Sequence, residues 1–376
     1  MLKQGVVSVT ALILVVLISG CARRKQPLVV AQPHAQWNRA STPFRAANVT
    51  AVENTFWACG ANESIASSSD GGKTWTLAHE NRGGGTLLNI LFVDSKAGHA
   101  SGKGGRLLST VDGGTTWQSH NVGQPVWMFS FADANNGIAV IGGSREIPIE
   151  QWGDSPLMQG PVKLTHDGGE HWEDIPALDS DQLRPFNFVL GVAALDAMHY
   201  LMIRQQPEVA DIFVVTSDGG RTWKVVSQRD DATNRELPAW VFAHGGEYWA
   251  FGMELVHREK AGGYGVPLTL HSRDGEAWTH GANGGLHEYG GCNPQGCYLW
   301  DGTVETLYGD KQQYWAFPQN GSLSFSRWAI AAGSYACTVT SELECGSATI
   351  TEQPQPRPQL ITPYAFVPPD LRRWEK

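Results

Sequence analysis

The octapeptide SSDGGKTW at residues 68–75 decides how this chain folds, because close copies of it recur downstream. TVDGGTTW stands at 110–117, THDGGEHW at 165–172 and TSDGGRTW at 216–223. Each copy carries the chemistry of a turn. Its Asp carboxylate accepts backbone N–H bonds within the turn. Its two glycines supply the positive φ angles that a tight connection demands. The closing Trp starts the next strand and offers a large apolar plate to a neighbouring sheet. Two weaker copies continue the series: SRDGEAW at 272–278 is one residue shorter, and YGDKQQYW at 308–315 keeps only the Asp-to-Trp spacing.

Trp75, Trp117, Trp172, Trp223, Trp278 and Trp315 therefore mark six units of comparable length. Upstream of the second box, FVDSKAGHASGKGGRLLST reads as two strands with a turn and a third strand entering the box; FADANNGIAVIGG has the same character before the third. Repeats of about 40–50 residues, each four short strands, are the signature of a β-propeller. The composition agrees, with 43 glycines, 15 tryptophans and no stretch of helical periodicity after the first residues. The fold class is all-β, with six detectable blades. SRWAIAAGSYACTVT onward supplies most of a seventh, and ring closure is expected to borrow a strand from PLVVAQPHAQW at 27–37.

The ends differ from the middle. Lys3, the apolar run from Gly5 to Ile18 and the small residues before Cys21 form an export signal too short to span a bilayer. Ile18-Ser19-Gly20-Cys21 resembles the bacterial lipoprotein signal, and the resemblance implies cleavage before Cys21 and lipid on that cysteine. With Ala22 next, it implies an outer-membrane destination where the cell has one. The organisation is thus a signal over 1–20, a lipidated linker over 21–39, a propeller over 40–350 and a Pro-rich extended tail over 351–376. The net charge of -9 leaves no basic stripe to neutralise phosphates, which excludes nucleic acid as the partner. Cys292, Cys297, Cys337 and Cys345 fall in two close pairs. Local bridges are expected in an exported protein, although four cysteines allow three pairings. Cys59 reads as a buried strand residue.

The repeated boxes resemble those of the Asp-box, or BNR-repeat, propellers. The phrase ending GKGGRLLSTVDGGTTW at 102–117, together with FRAANVTAVENTFWACG at 44–60, looks most similar to the photosystem II stability and assembly-factor branch. That resemblance implies seven blades, no catalysis, and a protein partner met through an arginine patch. Sialidases share the box, but their Arg-Ile-Pro motif is absent before the first box, where the chain reads Phe44-Arg45-Ala46-Ala47. Arg145-Glu146-Ile147-Pro148 lies in another place with a residue inserted. No catalytic set, metal-ligand pattern or cofactor fingerprint stands out, so the alternative of a glycosidase or carbohydrate-binding propeller rests on the fold alone. The box residues Asp70, Asp112, Asp167, Asp218 and Asp274 are read as structural, each spent on its own turn.

Topology then gives a direction. In a four-stranded meander, the box between strands three and four opens on the same face as the turn between one and two. The insertions at 144–160 and 254–266 fall between strands two and three, on the opposite face. That face supplies the candidate partner-binding residues: Trp152 in the first insertion, and Arg45, Arg82 and Arg184 at blade crossings. The sequence reading is a lipid-anchored, non-catalytic propeller that binds a membrane or envelope protein.

Overall fold

The computed structural model describes residues 36–142, 161–175, 188–205, 212–227, 234–258, 262–280, 289–293, 296–300, 303–306, 314–316, 327–330, 335–339, 342–347 and 349–351. All lie in the compact unit His34–Lys376. Cys21 and the signal read over 1–20 fall outside the described residues, as do the insertion around Trp152, Arg184 and the chain beyond 351. Among the described residues, no helix is long and apolar enough to cross a membrane.

Among the described residues the strands form seven antiparallel sheets, and the protein is a β-propeller. Consecutive strands pair within each sheet, so each blade is a meander over a short span: 46–79, 87–121, 126–174, 188–227, 234–280 and 289–316 for the first six. The first strands of neighbouring blades lie alongside one another through blades one to six, and that of blade seven lies against blade one.

The seventh blade breaks the meander. Its first three strands, Arg327–Ile330, Tyr335–Val339 and Leu343–Ser347, are joined by Gln36–Arg39 as the outer strand. Asn38 pairs with Cys345 and Arg39 with Glu344. The closing strand overlaps the end of the stretch read as its donor and occupies residues otherwise assigned to the linker. A second departure follows: Thr349–Thr351 doubles back and adds a fifth strand to blade six, pairing with Tyr314–Ala316. Residue 351, read as the start of the tail, is strand. The hairpin read as an insertion loop at 254–266 is also ladder for most of its length, since Glu254 pairs with Val266 and Arg258 with Gly262.

Packing repeats as regularly as the boxes. In five blades the end of the first strand and the start of the second place one aromatic opposite one small residue. The pairs are Ala51–Phe56, Phe92–Gly98, Phe131–Gly137, Ala194–Tyr200 and Ala243–Tyr248. The ring changes strand but the layer holds one ring per blade. A Cβ at Gly98 would stand 2.7 Å from Phe92, so the glycine makes room for its neighbour's ring. The layer meets the box tryptophans: Phe92 lies edge-on to Trp117 at 5.9 Å, and Phe131 edge-on to Trp172 at 6.3 Å. Filling a fixed volume with one large and one small side chain keeps the core at native density, and overpacking it costs about 1–3 kcal/mol.

Cys337 and Cys345, directly opposite one another in blade seven, form a disulfide. Cys292 and Cys297 likewise face each other across the pair of strands Tyr289–Asn293 and Gly296–Trp300; their side chains lie outside the described residues. Cys59 is fully buried in Thr55–Gly60.

Candidate functional site

The box carboxylates are occupied by their own turns. Asp70 accepts Ser68 Oγ at 2.8 Å, the Thr74 amide at 3.0 Å and Thr74 Oγ1 at 2.6 Å. Asp112 and Asp218 repeat the pattern with Thr116 and Thr222. His171 stands in the threonine's place at the third box and donates to Asp167 from both backbone and ring. Asp274, in the shortened box, accepts the Glu276 and Ala277 amides instead. A carboxylate that accepts several hydrogen bonds is favoured in its charged form. The Thr74, Thr116 and Thr222 hydroxyls thus hold Asp70, Asp112 and Asp218 down at about 2. Burial pushes Asp167 the other way, but the bonds from His171 and Thr165 prevail and leave it at about 2 as well. None of these is a general acid at neutral pH.

The rest of each box is equally spent. The first Ser or Thr hydroxyl accepts the second glycine's N–H, as in Gly114 N to Thr110 Oγ1 at 2.9 Å. Trp75, Trp172, Trp223 and Trp278 donate from Nε1 to that glycine's carbonyl at 2.8–3.1 Å. Trp117 is the exception: its buried Nε1 has no partner, and its ring lies edge-on to Trp57 and Phe92. Asp167, Glu170 and His171 bring three ligand atoms within 4.8 Å of one another, but all three residues are exposed and both Asp167 oxygens are in use.

A second set of aspartates on this face escaped the sequence reading. Asp94, Asp133 and Asp196 open the turns between strands one and two, and each accepts the amides two and three residues on at 2.7–2.9 Å. The first box glycine then donates to this turn: Gly113 to Lys96 O, Gly168 to Asn135 O and Gly219 to Met198 O, all at 2.9 Å. The signal was present as FVDSKAG and FADANNG, where an Asp sits at the same place in successive units. Carboxylates on this face therefore form two interlocked rows of turn caps.

The boxes also fasten neighbouring blades. The second glycine, at φ between 75° and 95°, receives a side chain from the preceding blade. Trp57 sits over Gly114, Leu107 over Gly169, Leu164 over Gly220 and Val215 over Gly275. At the closing joint, the disulfide sulfurs sit over Gly72. Sequence alone assigned these glycines to backbone conformation; they are also seats.

The opposite face is built differently. Around the junction of blades one and two, four loops are tied by backbone bonds into one surface. Ala61 donates to Arg45 O at 3.0 Å, Asn81 to Asn62 O at 3.0 Å, Glu63 to Gly85 O at 2.8 Å and Lys103 to Thr86 O at 3.1 Å. Arg45, Arg82, Lys103 and Arg106 are exposed there, against the carboxylates Glu63 and Glu80. Arg82 binds Glu80 at 3.0 Å yet keeps 83% of its side chain exposed. Glu63 is buried, with Asn81 Nδ2 at 3.4 Å, His79 Nε2 at 3.7 Å and Arg106 Nε at 3.8 Å. One carboxylate thus lies beneath the corner and leaves a surplus of positive charge above it. Asn62 and Glu63 both hold positive φ, 60° and 49°, which non-glycine residues adopt at a cost. Such strain concentrates at functional sites.

Of the residues picked from sequence, the structure brings Arg45 and Arg82 together at this corner. Trp152 and Arg184 lie outside the described residues. Lys103 and Arg106 were missed. GKGGR at 102–106 reads as a turn, and only the closing of blade two against blade one shows what it adjoins.

Residues 30–109 match the family model described as Photosynthesis system II assembly factor YCF48. No curated protein matches in sequence. Three solved structures of propellers are similar to the chain. One, YCF48 bound to D1 peptide, has 12% identity and TM-score 0.49, covering 84% of this chain and 95% of that one. YCF48 from Cyanidioschyzon merolae has 15% identity and TM-score 0.40, covering 70% and 96%. The Cps50 (Swd1) β-propeller domain of Myceliophteria thermophila has 7% identity and TM-score 0.52, covering 83% and 99%. At 7% identity the likeness to the Cps50 (Swd1) domain is one of fold.

Proposed function

We propose that this chain is a non-catalytic propeller that binds a protein partner at the cell envelope, tethered there by lipid on Cys21, and that it serves the assembly or stability of a membrane complex. One observation carries the reading: the two faces differ in what they leave unspent. Carboxylates on the box face are committed to turns, whereas the opposite corner presents Arg45, Arg82, Lys103 and Arg106 over a strained loop. Guanidinium groups on a rigid scaffold suit bidentate recognition of carboxylates, and arginine is enriched at protein interfaces. The family-model match over the first two blades covers this corner and supports the reading.

Trp152 and Arg184 belong to the same proposed surface, as an aromatic anchor and a further cation. The tether follows from the lipobox-like Ile18-Ser19-Gly20-Cys21, with the outer membrane as destination where one exists. Metabolic labelling with a lipid precursor tests the anchor, with loss of label expected in Cys21→Ala. A panel of fluorogenic glycosides tests the absence of catalysis on the purified chain. Turnover of any member that survives Asp-box substitutions but not changes on the opposite face would replace a binding protein with an enzyme.

A further inference from the structure

The closing joint differs from the others in connectivity. In blades one to five the box turn joins the third strand to the fourth, so the outer strand cannot leave without breaking a covalent, hydrogen-bonded turn. In blade seven the outer strand comes from the other end of the chain, and no turn joins it to the strand it pairs with; it is held by the ladder over Gln36–Arg39, the Ala40 amide on Leu343 O and the Arg39–Glu342 ion pair. The residue it pairs with at Asn38 is Cys345. That cysteine is bridged to Cys337 on the next strand in, and both sulfurs sit over Gly72 of blade one. A bridge thus stands where the other joints have an apolar side chain from a boxed blade.

A cleft of about 510 Å³ borders this bridge, lined by Asn38, Arg39, Gly71, Gly72, Lys73, Tyr335, Cys345 and Gly346. Arg39 and Lys73 are exposed there, with Arg39 paired to Glu342. We propose that Cys337–Cys345 is a redox latch for ring closure, addressed through this cleft by a dithiol reductant or its disulfide. A thiolate entering past Arg39 and Lys73 attacks Cys345 Sγ, forming a mixed disulfide and releasing Cys337 as a thiolate that takes up a proton. The reductant's second thiol then displaces Cys345 and leaves as the oxidised disulfide. Opened, the latch frees both sulfurs from Gly72 and unties Leu343–Ser347, the strand on which Gln36–Arg39 is paired. Run in reverse, the same exchange closes the ring in an oxidising compartment.

Hydrogen exchange on the full chain, with and without dithiothreitol, tests this. On reduction, amides in 36–39 and 343–347 are expected to exchange at least tenfold faster while those in 98–102 stay protected. The same measurement on Cys292→Ser/Cys297→Ser excludes the other cysteine pair as the cause. Unchanged exchange at 36–39, or uniform loss of protection through all blades, would overturn the latch. Lys73→Glu is expected to slow reduction several-fold at low salt, and an unaltered rate would remove the cleft as the route. If Cys337→Ser/Cys345→Ser does not fold, the wild-type exchange experiment still decides.

Discussion

The two faces of the ring obey different rules. On the box face blades one to five solve the same problem in much the same way, and an aspartate, a hydroxyl, glycine and a tryptophan are consumed in doing so. On the opposite face the loops differ in length and sequence from blade to blade, and the corner at blades one and two holds cations that the fold leaves exposed. Repetition marks what the ring needs to stand; its absence marks where the ring is free to specialise.

Two glycines put that contrast to the test most severely. Gly114 on the box face and Gly123 on the opposite face have similar φ, 80° and 77°. A Cβ at Gly114 would overlap the Trp57 ring, whereas one at Gly123 meets nothing within 4 Å. Gly123→Ala should therefore cost only the backbone term, about 1 kcal/mol. Gly114→Ala adds overpacking at the blade joint and should cost about 3 kcal/mol or more by denaturant unfolding. Equal losses would mean that the box glycine is a conformational residue and not a seat.

His99 sharpens the comparison on the inner side of the box face. It replaces Trp57 of the preceding blade and stacks on Phe131 at 3.6 Å, buried, with neither ring nitrogen hydrogen-bonded to a side chain or backbone group. Burial pushes it from 6.5 down to about 3; nearby His120 adds to this, while Asp133 opposes it. Between those values the unfolded chain binds the extra proton, so stability falls as pH is lowered from about 6.5 toward 3. The loss between pH 7 and pH 4.5 should be about 2–3 kcal/mol. His99→Phe should abolish that portion of the acid sensitivity; a variant as acid-labile as the wild type would assign the effect elsewhere.

Smaller effects separate the faces further. Thr110→Ala removes the acceptor of the buried Gly114 amide and a donor to Asp112, and should cost about 1–2 kcal/mol. Arg82→Ala removes an exposed ion pair and should leave stability within about 0.5 kcal/mol. A substantial stability loss in Arg82→Ala would make the corner a structural device like the boxes.

Much of this was legible because the turn chemistry is local. Asp, Gly and Trp at fixed spacing state their own hydrogen bonds, and their recurrence states the blades. What sequence could not show are relations between blades. Nothing in GKGGR places Arg106 above Glu63, since the two meet only when blade two closes on blade one. Nothing in Gly72 announces a disulfide from residues 337 and 345, because the joint forms between the chain's two ends. The closing strand overlaps the end of the stretch read as its donor and runs on to Arg39, because QWNR carries no box and its register is set by the strand it joins.

Site-specific photo-crosslinking in the native host decides whether the partner meets the face away from the boxes. A photoreactive residue would replace Arg45, Arg82 or Lys103 on one face, and Lys73, Thr115 or Arg221 on the other. An adduct to one envelope protein is expected from the first three positions, absent from the last three and lost on Arg106→Glu. The same adduct from the box-face positions, and none from the corner, would contradict that placement.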